Sequence, residues 1–168
     1  MGNSSTRTLL VMRHAEKLGD DDDPHLDPAG FVRAEKLVHY IPEAFGAPEA
    51  VIAATDTHHS VRPRETVTPL AHSIPLDVLT PYAETQFDAL AAQLRDSSAF
   101  PERLIVVCWH HGELPQLMAA LGAPAGSYPQ SWDPKVFNLI LKTELDADGS
   151  VSVTQVLVAS VIDFDGRF

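Results

Sequence analysis

Histidine and arginine crowd together at three places where an apolar run of this chain ends. The stretch "TLLVMRHAEK" closes in Arg13 and His14, with Glu16 and Lys17 directly behind. "AVIAATDTHHSVR" delivers His58, His59 and Arg62 after its apolar part, and "RLIVVCWHH" ends in His110 and His111. Arginine presents a planar fork of donors that matches phosphate oxygens, and it stays charged at any working pH. A histidine with one nitrogen facing phosphorus can act as nucleophile and carry a covalent phosphoryl group, which splits one hard displacement into two easier ones. A second histidine, cationic or hydrogen-bonded to the phosphoryl oxygens, stabilises charge that builds up during transfer. Such a set performs phosphoryl chemistry with no metal or other cofactor, because arginine and imidazolium supply the positive charge.

The elements that must carry these residues alternate between strand-like and helix-like segments, the pattern of an α/β fold with a mostly parallel central sheet flanked by helices. Thr8 to Met12 reads as the first strand, "AVIAAT" from Ala50 as the second, "PLDVL" as a short third and "RLIVVCW" as the fourth. Apolar spacing predicts helices over Phe31 to Tyr40, over the latter part of "DTHHSVRPRETVTPLAHSI", over Thr85 to Leu94 and over Glu113 to Leu121. Pro42 is expected to limit the first helix, and Asp20 to Asp23, Pro24 and Pro28 to keep the "GDDDDPHLDPAG" segment irregular. The segment "FNLILKTELDADGSVSVTQVLVAS" carries two strand-like runs around an Asp-Gly turn, hence an antiparallel hairpin at one sheet edge near the C-terminus. In parallel sheets, sites form beyond the carboxyl ends of the strands. Three strands therefore direct histidine and arginine toward one crevice.

Composition narrows the partners. The 168 residues suit one domain, read as 1–168 with residues 1–7 as a flexible tail. A formal net charge of −11 opposes binding to nucleic acid or to acidic membranes. Any anionic substrate must be held by a local cluster of positive groups. No run of apolar residues is long enough to span a bilayer, and the single cysteine, Cys108, forms no internal disulfide, so a cytoplasmic setting is expected. "MGNSST" matches a myristoylation pattern, but without a polybasic companion it reads as a polar tail.

At four places the residues resemble the signatures of the histidine phosphatase superfamily, also called phosphoglycerate mutase-like. "LLVMRHAEK" resembles its "RHG/RHAE" strand end, and "HLDPAGFVRAEKLVHYI" its "L-T-x-x-G-x-x-R-A-x-x-L" motif, with Leu26, Gly30, Arg33, Ala34 and Leu37 in register. "SVRPRETVTPLA" is similar to "S-x-R-A-x-Q-T-A", matching at Arg62 and Thr66 but carrying Pro63 and Glu65 for the usual Ala and Gln. "VVCWHHGELPQLMAALG" resembles the late strand-His-helix segment. The resemblance implies the family's sheet and a phosphohistidine mechanism, in which His14 is the nucleophile and Arg13 and Arg62 clamp the phosphate. A histidine of the 110–111 pair completes the pocket. His111, four residues before Pro115 as in forms reading "W-E-H-x-x-I-P", is favoured for that role, leaving His110 at the pocket mouth among the phosphate-binding residues.

Departures from the family pattern bear on substrate. No His-Asp pair supplies a proton donor, and the glutamate-glycine-tryptophan segment typical of mutases is missing around Glu84. Glu84 and Glu113 remain candidate general acids. The chain is too short for the large caps of several branches, so it is nearer the small, cap-less, phosphohistidine phosphatase-like branch. The expected partner is a phosphorylated small molecule or a phosphoprotein. Two other readings compete: a catalytically silent phosphate-binding relative, and a zinc-binding hydrolase built from His58, His59, His110 and His111 with nearby carboxylates. Taken singly, several residues have plainer roles. His58 and His59 read as loop residues at the mouth, Arg62 as a surface ion-pair partner of Glu65 or Glu16, and Arg33 and Glu35 as a solvated helix face. Lys17 reads as a surface cation, Trp109 and Trp132 as packing residues, and Cys108 as a structural thiol.

Overall fold

Strand β1 (Arg7–Arg13) is buried along nearly its whole length, as a strand covered on both faces must be. It belongs to a six-stranded sheet ordered β3-β2-β4-β1-β5-β6, with β2 at Ala50–Ala53, β3 at Val78–Leu79, β4 at Leu104–Trp109, β5 at Leu139–Leu145 and β6 at Val151–Leu157. The structure, a computed structural model, describes residues 6–17, 19 and 22–158. β1 to β4 run parallel, while β5 pairs antiparallel with β1 and with β6, forming the expected edge hairpin. Gly149, at φ +88°, makes the turn of that hairpin in a region a side chain would disfavour.

The period-two alternation of β1 feeds two cores. Leu10 and Met12 pack with Leu37 and Ile41 of α1 (Pro28–Phe45) and with Val67 and Leu70 of α2 (Arg62–Ser73). Leu9 and Val11 pack on the other face with Leu90 and Leu94 of α3 (Phe87–Arg95) and Leu114 and Leu117 of α4 (Leu114–Ala120). Each fully buried Leu or Ile contributes roughly 1.5–3 kcal/mol relative to exposure, so these layers hold the sheet rigid beneath the loops. By the same alternation Arg13 falls on the Leu9/Val11 face.

Several expectations are corrected. α1 begins at Pro28, not Phe31: Asp27 caps it by accepting from the Gly30 amide at 2.7 Å, and Pro28 takes the first helical position, where its missing N–H costs nothing. The helix also runs through Pro42, because the lost bond lies near its end and the fully buried Ile41 holds the last turn to the core. Arg7 is not tail: it opens β1 opposite Leu145, and its guanidinium donates to the Phe100 carbonyl at 2.9 Å. Thr6 likewise donates to Asp146 at 2.7 Å. Gly2, on which the lipidation pattern turns, lies outside the described residues. Among the described residues no helix is long and apolar enough to cross a membrane.

Candidate active site

Strands β4 and β1 are neighbours, and their register sets Trp109 beside Arg13. One further ladder bond, from the His14 amide to the Trp109 carbonyl at 3.1 Å, carries the pairing past the strand end. The residues that follow, His14 and His110, are thereby brought side by side, their rings 5.6 Å apart and edge-on at 73°. His14 is 2 % exposed. Its Nδ1 lies 2.7 Å from the Ala15 carbonyl. A carbonyl only accepts, so Nδ1 carries the proton and the lone pair sits on Nε2, the arrangement a nucleophilic imidazole needs.

Arg13 is almost completely buried, yet two of its three guanidinium nitrogens, Nε and Nη2, have no hydrogen-bond partner among the described residues. The third, Nη1, donates to the Pro134 carbonyl at 2.6 Å, and the Phe137 ring lies 3.9 Å from the guanidinium carbon. Trp132 steadies this strap by donating its indole N–H to the Val136 carbonyl at 3.0 Å. A buried cation with unsatisfied donors is expensive unless something completes it. A tetrahedral oxyanion would do so.

Arg62 opens α2 and is also buried, which overturns its reading as a surface ion-pair partner. Its Nε donates to the His25 carbonyl at 3.1 Å and its Nη2 to the Asp23 carbonyl. Thr66, one turn on, accepts from the Ala15 amide at 2.9 Å and so ties α2 to the residue after His14. Arg33 is not on a solvated face either: it is 6 % exposed and its Nε binds Glu16 at 2.5 Å. Gly30 sits where a β-carbon would come 2.3 Å from the Glu16 carbonyl, so only glycine lets α1 approach the loop after His14 this closely. The motif positions Gly30, Arg33 and Thr66 thus act as the frame behind the histidine.

A crevice of about 280 Å³ opens beside these residues, lined by Lys17, Thr57, His59, Ser60, Arg62, Glu84 and His110. Glu84 Oε2 is 3.7 Å from His110 Nε2, and the Glu84 carbonyl is held by the Trp109 indole at 2.9 Å. Of the two histidines, the preference for His111 is not supported by the geometry: His110 meets His14, whereas His111 turns toward a separate recess with Pro115, Gln116, Gln130 and Trp132. The reason is β4 itself, whose last paired residue is Trp109, so the next side chain is the one beside His14. Glu113 stands at the N-cap of α4, and burial, then the charge of Glu84, raise its pKa. His58 and His59 are exposed loop residues, as expected, with His59 on the crevice rim. Cys108 is fully buried and burial raises its pKa, as suits a structural thiol. Among the described residues no three His, Cys, Asp or Glu side chains converge into a metal-ligand set.

Burial governs the electrostatics. It holds the His14 imidazole at about 3, far below the ordinary 6.5; the bond to Ala15 offsets part of this, and the charges of Arg13 and Arg62 add to it. Burial also holds His110 at about 4, with Arg62, Arg13 and Lys17 contributing. Both rings are therefore neutral at neutral pH when no anion is bound. As pH falls below 6.5 the unfolded chain protonates both rings while the folded chain resists. Stability must then drop, by on the order of 2–4 kcal/mol between about pH 7 and pH 5. Urea melts at the two pH values check this, and a flat profile would contradict it.

No family model matches the chain, and no curated protein matches it by sequence. Solved structures do match by shape. A protein histidine phosphatase, SixA, complexed with tungstate superposes with a TM-score of 0.65 at 14% identity, covering 92% of this chain and 99% of that one. Phosphoglycerate mutase from Plasmodium falciparum gives 0.61 at 14%, covering 90% of each. A mycobacterial glucosyl-3-phosphoglycerate phosphatase in complex with inorganic phosphate gives 0.56 at 16%, covering 90% of this chain and 96% of that one. The chain has the phosphoglycerate mutase-like α/β fold of these proteins.

Proposed function

We propose that this chain is a phosphatase of the histidine phosphatase type, hydrolysing a phosphomonoester or phosphoamidate without a metal. The observation that carries the reading is the meeting of His14, its lone pair on Nε2, with His110 and with the two unpaired donors of Arg13 at the carboxyl ends of adjacent parallel strands. Two structural neighbours, of the same fold, hold tetrahedral oxyanions, tungstate in one and phosphate in the other.

In the first step Nε2 of His14 forms a bond to phosphorus as the bond from phosphorus to the leaving group breaks. Arg13, Arg62 and His110 hold the three equatorial oxygens, and Glu84 gives its proton to the departing atom. Water then attacks the phosphohistidine, passing a proton to the Glu84 carboxylate. The N–P bond breaks, phosphate leaves, and neutral His14 is restored. His110 takes the place that the resemblance gives to His111. The substrate is a phosphorylated small molecule or phosphoprotein in a reducing, cytoplasmic setting, which the single buried thiol of Cys108 tolerates.

A panel of p-nitrophenyl phosphate, phosphohistidine peptides and sugar phosphates, run with a chelator present, tests the reading. Turnover that survives the chelator, with phosphate trapped as an acid-labile, base-stable adduct on His14, is the expected result. Phosphate binding with no turnover of any substrate would make the chain a silent relative, and chelator-abolished activity would overturn the metal-independent route.

A further inference from the structure

We propose that Glu65 is a positioning residue for Arg62, acting through the 23–26 loop whose backbone carbonyls hold that guanidinium. The inference rests on the phosphate-site reading of Arg62 given above. Arg62 is aimed by main-chain acceptors, the carbonyls of Asp23 and His25, and so its position is only as fixed as the loop that carries them. Leu26, 3 % exposed and bridged antiparallel to Lys17, anchors one end of that loop. From α2 the loop is held by Glu65, one turn along the helix from Arg62. One carboxylate oxygen accepts from the Leu26 amide at 3.0 Å, and the other accepts from Nδ1 of His25. The Val61 amide adds a third tie, donating to the Pro24 carbonyl at 3.0 Å. Two carboxylate bonds thus bracket the carbonyl of His25, and that carbonyl meets Arg62.

Glutamine, the usual residue at this point of the resembling motif, could not make the same clamp. A carboxylate is acceptor-only and takes an N–H on each oxygen, whereas a carboxamide has one accepting oxygen and would turn its own N–H₂ toward the ring. The substitution also makes the clamp responsive to pH. Among the described residues the groups facing the His25 ring are Glu65 and Arg64 of α2 and Asp23 of its own loop; the hydrogen bond from Glu65, then its charge, raise the imidazole above its ordinary value, and Arg64 opposes them. The charged form makes the stronger bond to Glu65. The clamp is accordingly tightest below that raised value and loosens as pH climbs through it, so anion affinity should decline on the alkaline side.

Sulfate is the probe, because it stays a dianion throughout and brings no titration of its own. Calorimetric titration between about pH 6 and pH 9 is compared for the wild type, Glu65→Ala, Glu65→Gln, His25→Ala and Arg62→Ala. Loss of the clamp should weaken sulfate binding roughly tenfold in Glu65→Ala at the acid end, the scale of one charge-assisted bond. Glu65→Gln and His25→Ala should bind within a few-fold of wild type yet lose its decline toward high pH. A purely structural role would lower melting temperature and leave the pH dependence intact. Wild-type affinity and pH dependence in all three clamp variants, with Arg62→Ala weakened, would overturn this inference alone. An Arg62→Ala protein that binds sulfate like the wild type would remove the site reading beneath it. Should Glu65→Ala fail to fold, Glu65→Gln and His25→Ala decide: retained pH dependence in both overturns the clamp.

Discussion

His14→Ala should abolish turnover, lowering kcat by roughly 10⁴- to 10⁶-fold, the scale seen when a covalent nucleophile is removed. Alanine has no atom to bond phosphorus, and water attacking the substrate directly must do in one step what Nε2 divides into two. The oxyanion holders are untouched: Arg13 keeps its bond to the Pro134 carbonyl and Arg62 its bonds to the loop. The variant should therefore still bind phosphate or tungstate while showing no phosphoenzyme. It should also fold. Among the described residues the ring makes one hydrogen bond, to Ala15, and burial disfavours its charged form. Removing it takes away one of the two histidines behind the acid sensitivity, so His14→Ala should lose less stability than the wild type between about pH 7 and pH 5. Stopped-flow turnover, intact-mass detection of the adduct and urea melts at two pH values read all three consequences. Wild-type rates in this variant, or a phosphoryl adduct that persists, would remove His14 from the mechanism.

Much of this site is legible because its parts are local. The apolar run of β1 ends abruptly in Arg13 and His14, and period-two alternation alone assigns Leu9 and Val11 to one core and Leu10 and Met12 to the other. The Asp-Gly turn and the two strand-like runs around it specify the edge hairpin without knowledge of the rest. Asp27-Pro28 is equally local, but its sense depends on the neighbour: a proline that would break a helix elsewhere is, directly after a capping aspartate, a helix start.

What sequence spacing could not supply are the relations between distant segments. The choice between His110 and His111 depends on which strand lies beside β1 and in what register, and the distance to Pro115 contains neither fact. Arg13 is gripped by carbonyl and aromatic groups from 134–137, more than a hundred residues later, in a segment with no periodic pattern. Arg33 reads as a solvated helix residue because of its charge; it is buried because Gly30 lets α1 close onto the loop that bears Glu16. The motif match at Gly30 and Arg33 was the available signal for that packing.

Glu84→Gln should separate substrates by leaving group. A proton donor contributes about 10²–10⁴-fold where the departing oxygen is strongly basic, and little where the leaving group departs easily. For an alkyl phosphate kcat/KM should fall by roughly 10²–10³-fold, while p-nitrophenyl phosphate and a phosphohistidine peptide should lose only a few-fold. The carboxyl is well placed for the task, lining the crevice with Arg62 and His110 at 3.7 Å from the latter's Nε2. Its backbone is fixed by the Trp109 indole, so the amide should occupy the same place without disturbing the fold. Glu113 is the internal control. Burial and the charge of Glu84 raise its pKa, and it would be the donor if Glu84 merely lined the wall. Rates for a graded series of aryl and alkyl phosphates, plotted against leaving-group basicity, give the discriminating measurement. A steeper slope in Glu84→Gln than in wild type, with Glu113→Gln unchanged, assigns the proton to Glu84. Equal losses across the series would mean that Glu84 affects binding rather than proton transfer, and a steepened slope in Glu113→Gln alone would transfer the role to α4.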